Sequence, residues 1–317
     1  MPHYITKESE STLNLIPFLQ TYRGMTLTSS NISPTAGVMV IIGSGGIGLA
    51  TARRMGSGYH VVLADFSQKQ LDTSTNVLRE EGQIVEAIQT DISNLDSVNN
   101  LAQRASQLGP IRAVVHNAGL SPIQAPADRI YEVNTLGVAQ TIDAFLPLVI
   151  KGTTMVVIAS LAGHSVSGSI SPEFERHLAT APTKELLMRP EFDTSSHETE
   201  QNEKSYGERS KAYSISKWAN VVRVQAAAQA WASKGGRINS VSPGVIATPM
   251  TQQEKDSPLG GQALQQIIDA SPVKRAGGPT EIANVIAFLS SQEASFITGN
   301  DILVDGGINS SARWAGA

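Results

Sequence analysis

Apolar residues along this chain fall into short continuous blocks, separated by longer stretches in which they recur every three or four positions. From Gly37 onward the blocks VMVIIG, HVVLAD, IVEAIQTD and IRAVVHNAG alternate with IGLATARRMG, SQKQLDTSTNVLREEG, SNLDSVNNLAQRASQLG and a segment around Ile130 to Val149. The blocks are β-branched and almost uniformly apolar, as strands buried on both faces must be. The intervening stretches have the period of helices packed on one side. MVVIAS, RINSVSPG and DILVDGG supply three more strands. Such alternation predicts the α/β class: a parallel sheet, right-handed crossovers and helices on both faces, in one doubly wound Rossmann-type domain over 37–317.

Two stretches break the rhythm. Residues 1–36 mix charge with Ser and Thr around one apolar patch, Leu13 to Leu19, and are expected to form a poorly ordered N-terminal extension. Residues 164–210 have no strand pattern, several prolines and many charges, among them His177, His197, Glu198, Glu200 and Glu203. They read as an insertion on the regular scaffold. Within them SPEFERHLA predicts a short helix, with Ser171 as N-cap, Pro172 at the first position and Glu173 beside the positive helix end. TKELLM predicts a further helical turn.

Charge and composition narrow the partners. The net charge is −4 and no long run of Lys or Arg occurs, so neither nucleic acid nor an anionic membrane is expected. Cysteine is absent, which removes disulfides, Cys-ligated zinc, iron–sulfur clusters and a thiol nucleophile, and no metal site is expected. No stretch approaches the roughly 18 apolar residues of a membrane span, and MPHYITKESESTLNL lacks an apolar signal-peptide centre. A cytoplasmic protein is the expectation.

The first strand runs into Gly43-Ser44-Gly45-Gly46-Ile47-Gly48 and then a helix. This fits the dinucleotide fingerprint: Gly43 permits the tight turn, Gly45 lets the backbone approach a pyrophosphate, and Gly48 lets helix and strand pack closely. The helix N-terminus supplies free N–H groups and positive potential. Asp65 ends the second strand, where a carboxylate accepts hydrogen bonds from both ribose hydroxyls and repels a 2′-phosphate. Arg53 and Arg54 lie further down the helix, where surface roles are expected, so NAD is favoured over NADP. Asp91 ends the third strand at the adenine side of the same sheet edge, a weaker indication.

Tyr213-Ser-Ile-Ser-Lys217 places a phenol and an ammonium one helical turn apart on one face. A free Tyr ionises near pH 10, and a fixed cation nearby favours the phenolate. Alone, this spacing is common.

In company, these segments resemble the short-chain dehydrogenase/reductase family. HNAG (His116 to Gly119) stands at the fourth strand where that family has Asn-Asn-Ala-Gly; YEVNTLG places Asn134 at the family's catalytic Asn; VVIASLAG ends a strand at Ser160; NSVSPGVIATPM resembles the Pro-Gly loop that holds nicotinamide; FITGNDILVDGG resembles the closing strand. The resemblance runs from about Val38 to Gly307. It implies Tyr213 as general acid in reduction and general base in oxidation, and Ser160 hydrogen-bonded to the substrate oxygen. It implies Lys217 on the nicotinamide ribose, depressing the Tyr213 pKa, and Asn134 holding a relay water. Gly43, Ser44, Gly45, Ile47, Gly48, Asp65, Asp91, Asn117, Gly119, Tyr213, Lys217, Pro243, Gly244, Ile246 and Thr248 would line the cofactor, with Asn117 tethering the central strands. A small or medium hydroxy or keto substrate follows. A homodimer or homotetramer would be built on helices such as WANVVRVQAAAQAWA.

Two departures stand out. IIGSGGIG lacks the family's usual Thr and is one residue short before Gly46. The 164–210 insertion separates Ser160 from Tyr213 far more widely than usual, so a lid or wall of the substrate pocket is its expected role. Other readings are a non-catalytic dinucleotide sensor, which would not need Tyr213, Lys217, Ser160 and Asn134 together, and a methyltransferase, which would have no use for YSISK.

Overall fold

The computed structural model describes residues 36–194 and 203–314. Seven strands form one sheet: β1 (Val38–Ile42), β2 (His60–Asp65), β3 (Ile84–Gln89), β4 (Ile111–His116), β5 (Thr154–Ile158), β6 (Arg237–Pro243) and β7 (Asp301–Val304). Their order is β3-β2-β1-β4-β5-β6-β7 and every pairing is parallel. The helices are α1 (Gly46–Met55), α2 (Gln68–Glu80), α3 (Leu95–Leu108), α4 (Ala127–Tyr131), α5 (Gly137–Phe145), α6 (Leu161–His164), α7 (Pro172–Thr180), α8 (Glu203–Ser233), α9 (Pro249–Asp256), α10 (Gly261–Ala270), α11 (Pro279–Ser290) and α12 (Ile308–Trp314).

β1 shows why the strand blocks are apolar throughout. Val38, Val40 and Ile42 enter one layer with Val98 and Leu101 of α3, Ile142 of α5, and Val224 and Trp231 of α8. Met39 and Ile41 enter the opposite layer with Ala52 of α1, Leu71 and Leu78 of α2, and Ile282 and Ile286 of α11. Alternate side chains thus fill two cores, each fully buried residue contributing about 1.5–3 kcal/mol. The winding reverses between β1 and β4, which opens a crevice beyond their C-terminal ends.

The helix expected from Ile130 to Val149 is broken. A π turn, Glu132–Leu136, separates α4 from α5, and a 3₁₀ turn, Leu146–Leu148, follows. Such turns carry one residue more than an α-turn and concentrate at functional sites. This one carries Asn134.

In the insertion, α7 forms as expected: Ser171 Oγ accepts from the Phe174 N–H at 3.1 Å, and Pro172 takes the first position. TKELLM contributes a 3₁₀ turn at Thr183–Glu185. Phe174, Leu178 and Phe192 pack on Ile130 and Tyr131 of α4 and on Ala212, Ile215, Ala219 and Val222 of α8. Trp218 Nε1 donates to Glu175 at 2.8 Å, and Arg223 donates to the carbonyls of Ala179 and Ala181, terminating α7. α8 begins at Glu203, so the last part of the 164–210 segment is helix continuous with the Tyr213 turn. α7 covers the first half of the Ala- and Val-rich helix after Lys217, while Gln225, Ala226, Gln229 and Ala230 stay exposed. No helix among the described residues is long and apolar enough to cross a membrane.

Candidate active site

The glycine-rich turn leaves β1 with Gly43 at φ +93° and Gly46 at φ +46°, left-handed conformations that favour glycine. A side chain at Gly48 would bring its Cβ within 1.9 Å of the Gly43 carbonyl oxygen, so α1 packs against the turn at glycine-only distance. Gly45 differs: its backbone is extended, and a Cβ there would meet nothing nearer than 3.6 Å, the Gln70 side chain. The fold itself has no need of glycine at this position, as expected for a cradle kept open for a ligand. No side chain caps the start of α1 and its first turn holds no acidic residue, so the arrangement fits a pyrophosphate.

Asp65 stands beside this cradle. Its Oδ2 accepts from the Ser44 N–H at 2.8 Å and from Ser44 Oγ at 2.9 Å, and its Oδ1 accepts from the Ser67 N–H at 2.9 Å. Arg53 is engaged by Glu81 and Arg54 by Asn284, so neither neutralises Asp65. Asn117 Nδ2 donates to the carbonyls of Gly43 and Gly45, at 3.0 and 3.4 Å, tying β4 to the turn. Asp91 is occupied locally by Ser93 and, at 3.4 Å, by Arg129. Burial opposes its ionisation, but these hydrogen bonds and the guanidinium prevail and lower its pKa.

Beyond β5, Ser160 N-caps α6, its Oγ accepting from the Ala162 N–H at 3.2 Å. It also hydrogen-bonds the Tyr213 phenol across the 53-residue separation in sequence. Lys217 Nζ donates to the Ile158 carbonyl at 2.9 Å and lies 5.7 Å from the Tyr213 ring centroid. Asn134 adjoins Lys217 across Gly119, where a Cβ would meet Asn134 Oδ1 at 3.1 Å and Lys217 Nζ at 3.4 Å. The Asn134 amide is doubly bonded to the backbone of Leu120, accepting at 2.8 Å and donating at 2.9 Å, so it anchors the loop after β4.

The electrostatics differ from the expected pattern. Burial pushes the Tyr213 phenol up to about 12; the Ser160 hydrogen bond opposes this and the Glu254 carboxylate adds to it. Any depression by Lys217 is outweighed. Burial also pushes Lys217 down, to about 8.

The Pro-Gly loop closes the other side. Gly244 leaves no room for a Cβ, which would lie 2.8 Å from Asp305 Cα, and Thr248 N-caps α9. Thr248 also approaches Gly46, whose Cβ would be 3.0 Å from Thr248 Cγ2, so this loop meets the glycine-rich turn. Pro243 ends β6. Ile246 is buried in the apolar layer, and Ile47 packs against that layer while remaining partly exposed. His164 is held by partners at β6 and β7, its Nε2 lying 2.8 Å from Asp301 and 3.3 Å from Ser242. His197, Glu198 and Glu200 lie outside the described residues.

Three features escaped the sequence reading: the π turn at Asn134, the Tyr206–Glu254 pair near Tyr213, and His116. The last is fully buried with neither ring nitrogen hydrogen-bonded among the described residues, and burial, followed by the Lys217 charge, holds its pKa at about 3. The departure from Asn in HNAG was the one signal for it. A cleft at the opposite sheet edge gathers Arg112, Lys151 and Arg237, but Arg237 is spent on the carbonyls of Leu289, Ser291 and Ile297.

Comparison with known proteins gives a consistent picture. Residues 37–172 match the short chain dehydrogenase family, and residues 194–309 match enoyl-(acyl carrier protein) reductase. The short-chain dehydrogenase/reductase bsc3 of Alternaria brassicicola is 40% identical over 269 residues, covering 85% of this chain and 94% of the relative. The 3-alpha-hydroxysteroid dehydrogenase/carbonyl reductase of Comamonas testosteroni is 34% identical over 198 residues, 62% of this chain and 72% of the relative. Among solved structures, the 3-alpha-hydroxysteroid dehydrogenase from Pseudomonas sp. B-0831 complexed with NADH aligns with TM-score 0.70 and 25% identity, over 89% of this chain and all of that one. An actinorhodin polyketide ketoreductase with NADPH shares the fold, at TM-score 0.64 and 23% identity over 86% of this chain and 97% of that one.

Proposed function

The chain belongs to the short-chain dehydrogenase/reductase family of nicotinamide-dependent oxidoreductases, and from that premise we propose that it interconverts a secondary alcohol and a ketone with NAD(H). One observation carries the reading: Ser160 after β5 and the Tyr213–Lys217 turn of α8, two separate parts of the chain, converge beyond the strand ends. When bound there, the nicotinamide supplies or takes the hydride.

The protein moves the proton. Tyr213 Oη gives it to the substrate oxygen in reduction and removes it in oxidation. Ser160 Oγ, hydrogen-bonded to Tyr213, holds the substrate oxygen and stabilises its developing charge. Lys217 Nζ binds the nicotinamide ribose, and its proximity favours the phenolate once donors on the ligands offset the burial that opposes it. Asn134 positions the π turn against Lys217 for proton exchange with solvent. Gly43, Gly45, Gly48, Gly119, Pro243, Gly244 and Thr248 line the cofactor, while Asn117 fixes the turn that holds it. NAD is favoured because, among the described residues, no cation pairs with Asp65, and Arg53 and Arg54 of α1 are engaged elsewhere. A homo-oligomer belongs to the same proposal, and the exposed half of α8 from Gln225 to Ala230 is left open to build it.

The test follows reduced-nicotinamide absorbance over a panel of ketones and alcohols with both cofactors. Tyr213→Phe is expected to lower kcat by about 10²–10⁴-fold while NADH still binds. Preference for NADP(H) would overturn the Asp65 argument and leave the chemistry. Tight NADH binding without turnover by the wild type would favour a non-catalytic sensor.

A further inference from the structure

α9 is held over the catalytic group from two sides. Gln124 Nε2, in the loop after β4, donates to Gln253 Oε1 at 3.2 Å, and the Tyr206 hydroxyl, in the first turn of α8, donates to Glu254 Oε1 at 3.5 Å. Gly260 closes behind the second pair: a Cβ there would lie 2.8 Å from Glu254 Cγ and 3.5 Å from Tyr206 Oη.

Glu254 is poorly satisfied for its surroundings. It is half-buried, yet among the described residues no Arg or Lys pairs with it, and its one side-chain hydrogen bond is the long contact to Tyr206. A carboxylate offers about four acceptor sites, and one removed from water is costly unless donors fill them. Burial accordingly raises the Glu254 pKa. The groups facing the pair are Ser210, which hydrogen-bonds Tyr206, the Arg209 charge, and the Tyr213 phenol, which the Glu254 charge reaches.

We propose that Glu254 and Tyr206 form a subsite for a hydroxyl group of the substrate other than the oxygen that reacts. The inference rests on the alcohol–ketone reading of this same site and names its substrate class: hydroxy ketones and diols rather than monofunctional or anionic compounds. A hydroxyl suits the pair because it both accepts, from Tyr206, and donates, to Glu254. At 3.5 Å the direct bond is long enough to be exchanged for those two. A carboxylate or phosphate would meet the Glu254 charge. An ammonium could pair with Glu254 but could not accept the proton that Tyr206 now donates, and the experiment separates it from the hydroxyl. A donor on Glu254 also screens that charge from Tyr213, so the seated substrate eases formation of the phenolate that proton removal requires.

The experiment uses wild type, Glu254→Leu, Glu254→Gln and Tyr206→Phe. Turnover is compared between each positional isomer of hydroxycyclohexanone and cyclohexanone. Binding of cyclohexanediols and cyclohexanol to the NADH-loaded enzyme is read by NADH fluorescence. Wild type is expected to favour a hydroxylated member by about ten- to a hundredfold in both readouts. Glu254→Leu brings the ratio close to one, while Glu254→Gln and Tyr206→Phe retain part of it. A ratio unchanged in both Glu254 variants that still bind NADH overturns the subsite and leaves the alcohol–ketone reading intact, as does equal treatment of the pair by the wild type. Tighter binding of an aminocyclohexanol than of the diol overturns the hydroxyl assignment. Glu254-dependent diol binding without turnover of any ketone keeps the subsite and overturns the reaction. Neither binding preference nor turnover overturns both.

Discussion

On the glycine-rich side of the crevice, backbone approaches backbone: Gly48 sits against the Gly43 carbonyl, and Asn117 ties both Gly43 and Gly45 to β4. On the inserted side, rings and long side chains do the holding. Phe174 meets Phe192 with ring centroids 5.4 Å apart, Phe192 meets Tyr131 at 4.8 Å, and Trp218 reaches Glu175. The first construction tolerates almost no change in shape and presents the same surface whatever the substrate. The second can be redrawn residue by residue while the sheet stays as it is. If the inserted side forms the substrate pocket, as proposed, the constant chemistry of the cofactor and the variable chemistry of the substrate rest on physically different kinds of packing.

The largest expected effect tests whether the two sides are energetically separate. Phe174→Ala removes a buried ring and is expected to cost about 3–5 kcal/mol in the inserted segment. Amide exchange should lose protection over 172–194 while NADH affinity holds. An equal loss of NADH affinity would show one cooperative unit and end the comparison. Next comes Gly48→Ala, whose Cβ would enter the space 1.9 Å from the Gly43 oxygen. We expect about 1–3 kcal/mol of destabilisation and NADH binding at least about tenfold weaker, with exchange in α7 unchanged. Calorimetry and fluorescence titration read both.

The smallest effect concerns the junction of the two sides. Burial holds Lys217 at about 8, so its ammonium is present below that pH and is lost as pH rises through it. NADH affinity is expected to fall a few-fold above pH 8, and Lys217→Met should lack the inflection. A wild-type profile flat from pH 7 to about 10 would place the cofactor's hold elsewhere.

Much of the sheet was legible because two-sided burial makes the central strand blocks, β1, β4 and β5, almost wholly apolar, and β1 through β7 lie where the blocks stand. The helix after Asn117 was legible only in outline. Its π turn stands where Asn134 bonds Leu120 and Gly137 admits Ile92, whose Cγ1 would lie 2.8 Å from a Cβ there. Neither contact leaves a periodic trace. Ser171 and Pro172 announced α7 by local chemistry, but nothing local announced which face of α8 it would cover.

The class of fold, the glycine turn and the placing of Tyr213 and Lys217 on one helical face were readable from the chain, because each follows from short-range rules: residue period, permitted φ and helical spacing. Tertiary structure alone decided that Ser160 meets Tyr213, that burial rather than Lys217 governs the phenol, and that Glu254 comes to face it from α9. Those outcomes depend on desolvation and on distances between segments far apart in the chain, and both quantities exist only once the chain has folded.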